Sequence, residues 1–312
     1  MIKKYSLIQV DVDSLSTIAS YYGSEDFDPA KDRLYEIAVP RLLDLFDRHH
    51  VRATFFISGK DFINNERTCF WIDKIIHKGH EIANHSFSHL ARLSSRSNAV
   101  VEEEIAKNHQ AIKDFFDVTC AGYRSPGYSI SDDILRLLAK QGYLYDSSIF
   151  PTSISVLYKI YRKFTAYPKQ GVSPTDMGPP LLFLSPREPY LLRNLKLPDG
   201  RPMAEIPVTT TRIGRLPFYF SFHLCLPEPV FRVMLGAIRA DCINYVLHGT
   251  DILDFTKDRI NDRFIARHTT IKIPLESKMK KLDIAMSSLS GRVNILSRDL
   301  SGEMLKTGIA AK

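Results

Sequence analysis

The sequence lacks several features that would assign it to a familiar class. It has no C-x-x-C pair, and Cys69, Cys120, Cys225 and Cys242 fall at irregular spacings. That argues against a disulfide framework or a thiolate zinc site and leaves four reduced, mostly buried thiols. No uncharged stretch exceeds about a dozen residues, and a membrane-spanning helix needs ~20 mostly apolar ones, so none is expected. The opening residues Met1–Tyr5 reach Asp11 and Asp13 before any signal-peptide core can form, which predicts a cytoplasmic location. No internal repeat is visible. Apolar residues at 44% and charged residues at 25% exclude low-complexity disorder over most of the length.

What is present is uneven. The net charge of +7 is concentrated in two stretches. Lys159–Arg201 carries eight Lys/Arg against three Asp/Glu, and Lys257–Lys281 carries the same numbers. The first is interleaved with Tyr158, Tyr161, Phe164, Tyr167, Phe183 and Tyr190. Basic plus aromatic composition suits a phosphorylated substrate, an anionic membrane surface or a nucleic acid, and equally a solvated face. No nucleic-acid recognition motif accompanies it, so no nucleic-acid partner is expected.

Short apolar runs alternate with amphipathic stretches. Strands are expected at 7–12, 53–57, 81–84, 144–146, 206–208, 245–247 and 293–296. Helices are expected at 41–50 (with Pro40 as the first helical residue), 71–78, 98–116, 132–140, 229–239 and 275–289. Strand–helix alternation implies an α/β fold with a parallel sheet or barrel. Residues 149–205 break the rhythm with nine prolines and read as an excursion at one rim of a single 1–312 domain. The last residues, 308–312, read as a frayed end.

Four constellations could carry chemistry. In Leu7-Ile8-Gln9-Val10-Asp11-Val12-Asp13, strand alternation points Asp11 and Asp13 the same way at the C-terminal end, where α/β sheets carry their sites. Two acids there repel unless a cation or proton intervenes. In His85-Ser86-Phe87-Ser88-His89, one helical turn would bring both imidazoles to one face. Two imidazoles and a carboxylate make a three-ligand metal site with open positions. In Arg124-Ser125-Pro126-Gly127-Tyr128, the guanidinium can clamp a carboxylate and the glycine lets backbone approach a ligand. In Tyr245-Val246-Leu247-His248, a histidine ends a strand and is a candidate general acid.

Taken in order, these motifs resemble the polysaccharide deacetylase superfamily of carbohydrate esterases. The resemblance implies a distorted (β/α) barrel with an incomplete strand count and a divalent metal at the strand C-terminal ends. It implies Asp13, His85 and His89 as ligands, Asp11 as general base held by Arg124, and His248 as general acid. Zinc suits such a donor set, with cobalt, nickel or manganese as substitutes. A backbone N–H of the Arg124–Tyr128 turn, with Gly127 and Tyr128 as candidates, would hold the oxyanion. Two departures stand out. One residue separates the aspartates that many members have adjacent, and the family's Asp-Trp motif is missing. Asp146 is its nearest counterpart, and Asp251 is the alternative partner for His248.

The implied activity is hydrolysis of an N-acyl group, acetyl or formyl, from an amino sugar. The Val-Asp-Val-Asp opening and Val39-Pro40-Arg41-Leu42-Leu43 are similar to lipid-linked aminoarabinose deformylases. Their substrates are polyprenyl-phosphate-linked, so peripheral contact with an anionic membrane is expected. The basic excursion and the apolar run Leu216–Leu226 would suit such a substrate. Other readings are a non-sugar amide hydrolase and a silent carbohydrate-binding homologue.

Overall fold

A computed structural model describes residues 3–21, 24, 27–28, 31–155, 178–260, 262, 265–268 and 270–308. Much of the basic–aromatic excursion, including Tyr158, Tyr161, Phe164 and Tyr167, lies outside them.

The elements are β1 (Tyr5–Val12), α1 (Leu15–Tyr21), α2 (Leu34–Arg48), β2 (Thr54–Ile57), α3 (Gly59–Phe62), α4 (Glu66–His77) and β3 (Glu81–Asn84). Then come α5 (Asn98–Phe116), β4 (Gly122–Tyr123), α6 (Asp132–Lys140), β5 (Tyr145–Asp146), β6 (Tyr190–Lys196) and β7 (Pro202–Glu205). The chain continues with α7 (Phe220–Leu224), α8 (Glu228–Ala237), β8 (Cys242–His248), α9 (Leu275–Leu289), β9 (Val293–Asn294) and α10 (Ser297–Thr307).

Among the described residues one nine-stranded sheet runs β6-β7-β5-β4-β3-β2-β1-β8, with β9 on the start of β1. All pairings are parallel except the β6–β7 hairpin. The central strands are buried on both faces, as parallel strands covered by helices must be: Leu7, Val10, Val12, Phe55, Phe56 and Ile57 are fully enclosed. The curled sheet is an incomplete barrel. Residues 206–209 bridge its gap towards β8, where Thr209 Oγ1 accepts from Asn244 N–H at 2.8 Å and Asn244 Nδ2 donates to Pro207 O at 3.2 Å.

Several expectations are corrected here. Residues 206–208 are that bridge, not a strand; Ile206 N–H still donates to Asp146 O of β5 at 2.9 Å, and Ile206 and Val208 are buried against the sheet. Pro40 lies inside α2 rather than at its start. It removes one intrahelical donor, and the helix is held by the stripe Leu34, Tyr35, Ala38, Val39, Leu42, Leu43 and Phe46 packed on the sheet. Strand β4, the hairpin β6–β7 and helices α1, α3, α7 and α10 are additional. The apolar run Leu216–Leu226 is split: Phe218, Phe220 and Leu224 are buried while Leu216 and Cys225 are exposed, so it does not form a continuous lipid-receiving surface. Part of the second basic stretch is also committed. Lys278 Nζ donates to Leu253 O at 2.5 Å, and Lys281 Nζ caps α7 by donating to Leu226 O at 2.6 Å. No helix among the described residues is long and apolar enough to cross a membrane.

Candidate active site

Parallel pairing brings the strand C-terminal ends to one rim, and all four constellations meet there. The β1–β8 register sets Asp11 beside His248, and β3–β4 sets Asn84 beside Tyr123, one residue before Arg124.

Asp13 lies just beyond β1 with Oδ1 at 3.6 Å from His85 Nε2 and 3.4 Å from His89 Nε2. One ligand atom from each residue lies within 4.8 Å of the others. The histidines are not on a helix. Ser86 and His89 both adopt left-handed backbone (φ 63° and 53°), so the segment turns back sharply after β3 and converges the two rings by loop geometry. Asn84 anchors that loop. Its Oδ1 accepts from Ser86 N–H at 2.8 Å and from Asn108 Nδ2 at 2.9 Å, and its Nδ2 donates to Ile105 O at 2.9 Å. His85 Nδ1 donates to the Arg124 carbonyl at 2.8 Å, which leaves its Nε2 lone pair facing Asp13.

The electrostatics favour a cation. Burial alone would push the Asp13 carboxyl up, but His89 and His85 outweigh it and hold it well below the usual carboxylate range. Burial dominates at His85 and lowers it; at His89 the Asp13 charge overcomes burial and raises it. Asp13 Oδ1 is buried with no hydrogen-bond partner. A carboxylate oxygen left so, between two imidazole nitrogens, is a donor set that a divalent ion fits.

Asp11 is 3% exposed and Arg124 fully enclosed. Arg124 Nη1 donates to Asp11 Oδ1 at 2.6 Å, Nε to Ser147 O at 2.9 Å, and Nη2 to Ser147 Oγ at 3.0 Å and to Gln9 Oε1. Its guanidinium lies 4.2 Å from the centre of the Phe56 ring. The other Asp11 oxygen, Oδ2, is 3.7 Å from His248 Nε2. Burial works against the His248 charge, but Asp251, helped by Asp11, raises its pKa to about 9.

Of the two carboxylates weighed for His248, the structure brings Asp251. Its Oδ2 accepts from His248 N–H at 2.9 Å. Asp146 has other partners. Its carboxylate accepts from Ser148 Oγ at 2.7 Å and Ser148 N–H at 2.9 Å, and it is in register with Glu205 on β7. Asp146 is therefore not the partner of His248; it lies on β5, which is separated from β8 by the unpaired gap in the sheet.

Asp146 and Glu205 are both fully buried, and burial raises both carboxyls, Glu205 strongly so with Asp146 beside it. The folded state keeps a proton on this pair that the unfolded chain releases above the ordinary glutamate value. Stability therefore falls as pH climbs from that value towards the raised one. A Glu205→Gln variant should melt higher than the parent, with the gap widening across this window, in melting curves recorded against pH. A gap that does not change with pH would refute the shared proton.

In the 124–128 turn, Arg124 N–H donates to Asn84 O, Ser125 N–H to Ser148 Oγ at 2.8 Å, and Tyr128 N–H to Ser125 O at 3.0 Å. The Tyr128 amide is thus committed within its own turn, and Gly127, at φ 58°, carries the remaining candidate amide.

Sequence reasoning missed Gln9, Asp61, Ser147 and Ser221. Asp61 braces the residue after Asp13, accepting from Ser14 Oγ at 2.6 Å and Ser14 N–H at 3.0 Å. Gln9 was findable, since alternation puts it on the same face as Asp11. Asp61 follows the end of β2 by four residues and was findable by position. Ser221 sits within an apolar run that gives no such signal.

The geometry thus defines an α/β sheet protein with an Asp/His/His cluster that could hold a metal ion, and a carboxylate–histidine pair beside it, at its strand ends. A family model described as polysaccharide deacetylase matches residues 27–145, which include His85, His89 and Arg124. The chain is 30% identical over 152 residues to a peptidoglycan deacetylase of Helicobacter pylori, covering 48% of this chain and 50% of that one. It is 32% identical over 104 residues to a chitooligosaccharide deacetylase of Bradyrhizobium, covering 33% and 46%. The chain thus spans about half the length of these relatives. A candidate polysaccharide deacetylase from Mycobacterium smegmatis superposes with a TM-score of 0.59 at 18% identity, over 97% of this chain and 90% of that one, showing the same fold.

Proposed function

We propose that this protein is a divalent-metal-dependent hydrolase that removes the N-acyl group, acetyl foremost, from an amino sugar of a cell-envelope glycan or its precursor. The observation that carries this reading is the convergence of Asp13, His85 and His89 beside an Asp11 that has Arg124 on one oxygen and His248 on the other. The similarity to a peptidoglycan deacetylase and a chitooligosaccharide deacetylase supports the sugar and the acetyl group. The site residues span 11–251 and gather at the strand ends of one sheet, so we treat the chain as one catalytic unit.

Asp13, His85 and His89 would hold the ion. Bound there, a divalent metal supplies Lewis acidity towards an amide carbonyl and acidifies water. The chain's own groups do the rest. Asp11, through Oδ2, takes a proton from the attacking water; Arg124, bonded to Oδ1, fixes that carboxylate in place. The Gly127 N–H donates to the oxygen that gains charge as the new C–O bond forms. His248 gives its Nε2 proton to the departing nitrogen as the C–N bond breaks. The products are a carboxylic acid and a free amino sugar.

Finer choices remain proposals. A polyprenyl-phosphate-linked substrate, a formyl leaving group and contact with an anionic membrane rest on the Val10-Asp11-Val12-Asp13 opening and the basic composition of 159–201. Zinc is the favoured ion and the cytoplasm the favoured location.

Metal content and acid release test the reading together. Protein incubated with zinc and desalted should hold about one ion per chain by mass spectrometry, and His85→Ala should lose it. The loaded protein should release acetate from N-acetyl chitooligosaccharides or muropeptides, or formate from an N-formyl lipid-linked sugar. No bound metal in the parent, or hydrolysis of soluble non-sugar amides alone, would overturn it.

A further inference from the structure

The reaction above needs His248 to present a proton at Nε2 and nowhere else. In a neutral imidazole either nitrogen can carry the hydrogen, and the group bonded to the other nitrogen decides which one does. Asp251 does not reach that other nitrogen: its Oδ2 is 3.6 Å from Nδ1, beyond hydrogen-bond length. Between them lies the hydroxyl of Ser221, with Oγ 3.0 Å from Nδ1 and 2.7 Å from Asp251 Oδ2.

An ionised carboxylate only accepts, so the Ser221 proton goes to Asp251. Asp251 is held ionised: burial works against it, but His248 overcomes that and lowers it. The serine oxygen then has only lone pairs left for His248, so its 3.0 Å contact with Nδ1 is a hydrogen bond when Nδ1 carries the hydrogen. We infer that Ser221 is a positioning residue that locks the acid histidine as its Nδ1–H form, so that the exchangeable proton is always the one on Nε2, facing Asp11. This rests on the role assigned to His248 above.

The serine is held from several sides. Its helix α7 is capped by Lys281 on the carbonyls of His223, Leu224 and Leu226. His223 is hydrogen-bonded to Tyr245 Oη at 2.9 Å, tying α7 to β8. Asp251 is fixed by His248 N–H and by Thr270 Oγ1 at 3.3 Å from Oδ1. The ring of Tyr219 packs edge-on against His248, with centroids 6.2 Å apart. The charged and titratable groups facing the imidazole are Asp11 and Asp13 from the end of β1, Asp251 beyond β8 and His268.

The test reads the imidazole directly. Proton–nitrogen correlation spectra of the zinc-loaded protein, taken above the His248 midpoint and assigned with His248→Gln, report which nitrogen is protonated. The parent should show the Nδ1–H form. Ser221→Ala should show a mixture with the Nε2–H form and lose roughly tenfold in kcat with KM little changed, a fraction of what acid–base groups contribute. Ser221→Thr, which keeps the hydroxyl, should restore both. An unchanged Nδ1–H signature in Ser221→Ala, or a threonine variant as impaired as the alanine one, would overturn the assignment. The spectra need no substrate, so a protein that hydrolyses none of the amides offered would defeat the proposed function and leave this readout intact.

Discussion

An Asp11→Asn variant is expected to fold, keep about one divalent ion per chain and lose on the order of a thousandfold in kcat, within the range general-base groups contribute. The two parts separate because the two aspartates do different work. Asp13 faces both histidines, at 3.6 and 3.4 Å, whereas Asp11 faces Arg124 at 2.6 Å and His248 at 3.7 Å. Asparagine keeps an oxygen to accept from Arg124, so the local packing survives. It cannot take a proton from water at neutral pH. A thousandfold loss corresponds to about 4 kcal/mol of transition-state stabilisation. KM should change little, since the lost interaction arises only as the proton moves. Asp13→Asn is the contrasting control and should lose the metal. Steady-state rates on the best substrate, with metal content by mass spectrometry, check both. Full activity in Asp11→Asn would remove Asp11 from the base role; loss of metal there would make it a ligand.

The site was legible where it depends on strand periodicity and ordered motifs. Alternation along 7–13 puts Gln9, Asp11 and Asp13 on one face, and the parallel sheet collects His85, Arg124 and His248 at the same rim. The histidine spacing read correctly as convergence, but the reason is a loop with left-handed residues at Ser86 and His89, set by hydrogen bonds from Asn84 that spacing does not encode. The partner of His248 was open because Asp146 and Asp251 both sit near strand ends. The structure chooses by topology: the chain turns at once after β8, so the carboxylate three residues on caps the His248 N–H. The hairpin β6–β7 was hidden among prolines that read as irregular chain. Helix α7 was hidden because its apolar residues are core and its one catalytic-side hydroxyl, Ser221, looks like any serine.

The largest effect on stability should come from Arg124→Met. This side chain is fully enclosed yet charged, which is tolerable only because Asp11, Gln9 and both oxygens of Ser147 accept from it and burial fails to lower its pKa against the Asp11 charge. Methionine matches much of its volume and would keep contact with Phe56. What it leaves behind is a carboxylate, 3% exposed, whose remaining counter-charge is His248 at 3.7 Å, and a Ser147 carbonyl with no donor from this side chain. Breaking a buried pair in this way costs about 3–5 kcal/mol. Arg124→Lys should recover part of it, because one ammonium replaces the charge but cannot span acceptors that the planar guanidinium meets together. The decisive comparison is the double variant Arg124→Met/Asp11→Asn. If the cost is the stranded charge, neutralising Asp11 should make the double variant more stable than Arg124→Met alone, with an interaction energy of about 1–3 kcal/mol. Urea unfolding midpoints of the four proteins supply the cycle. Additive losses would mean that Arg124 stabilises through packing, and its hold on Asp11 would then have to be sought in the rate rather than in the fold.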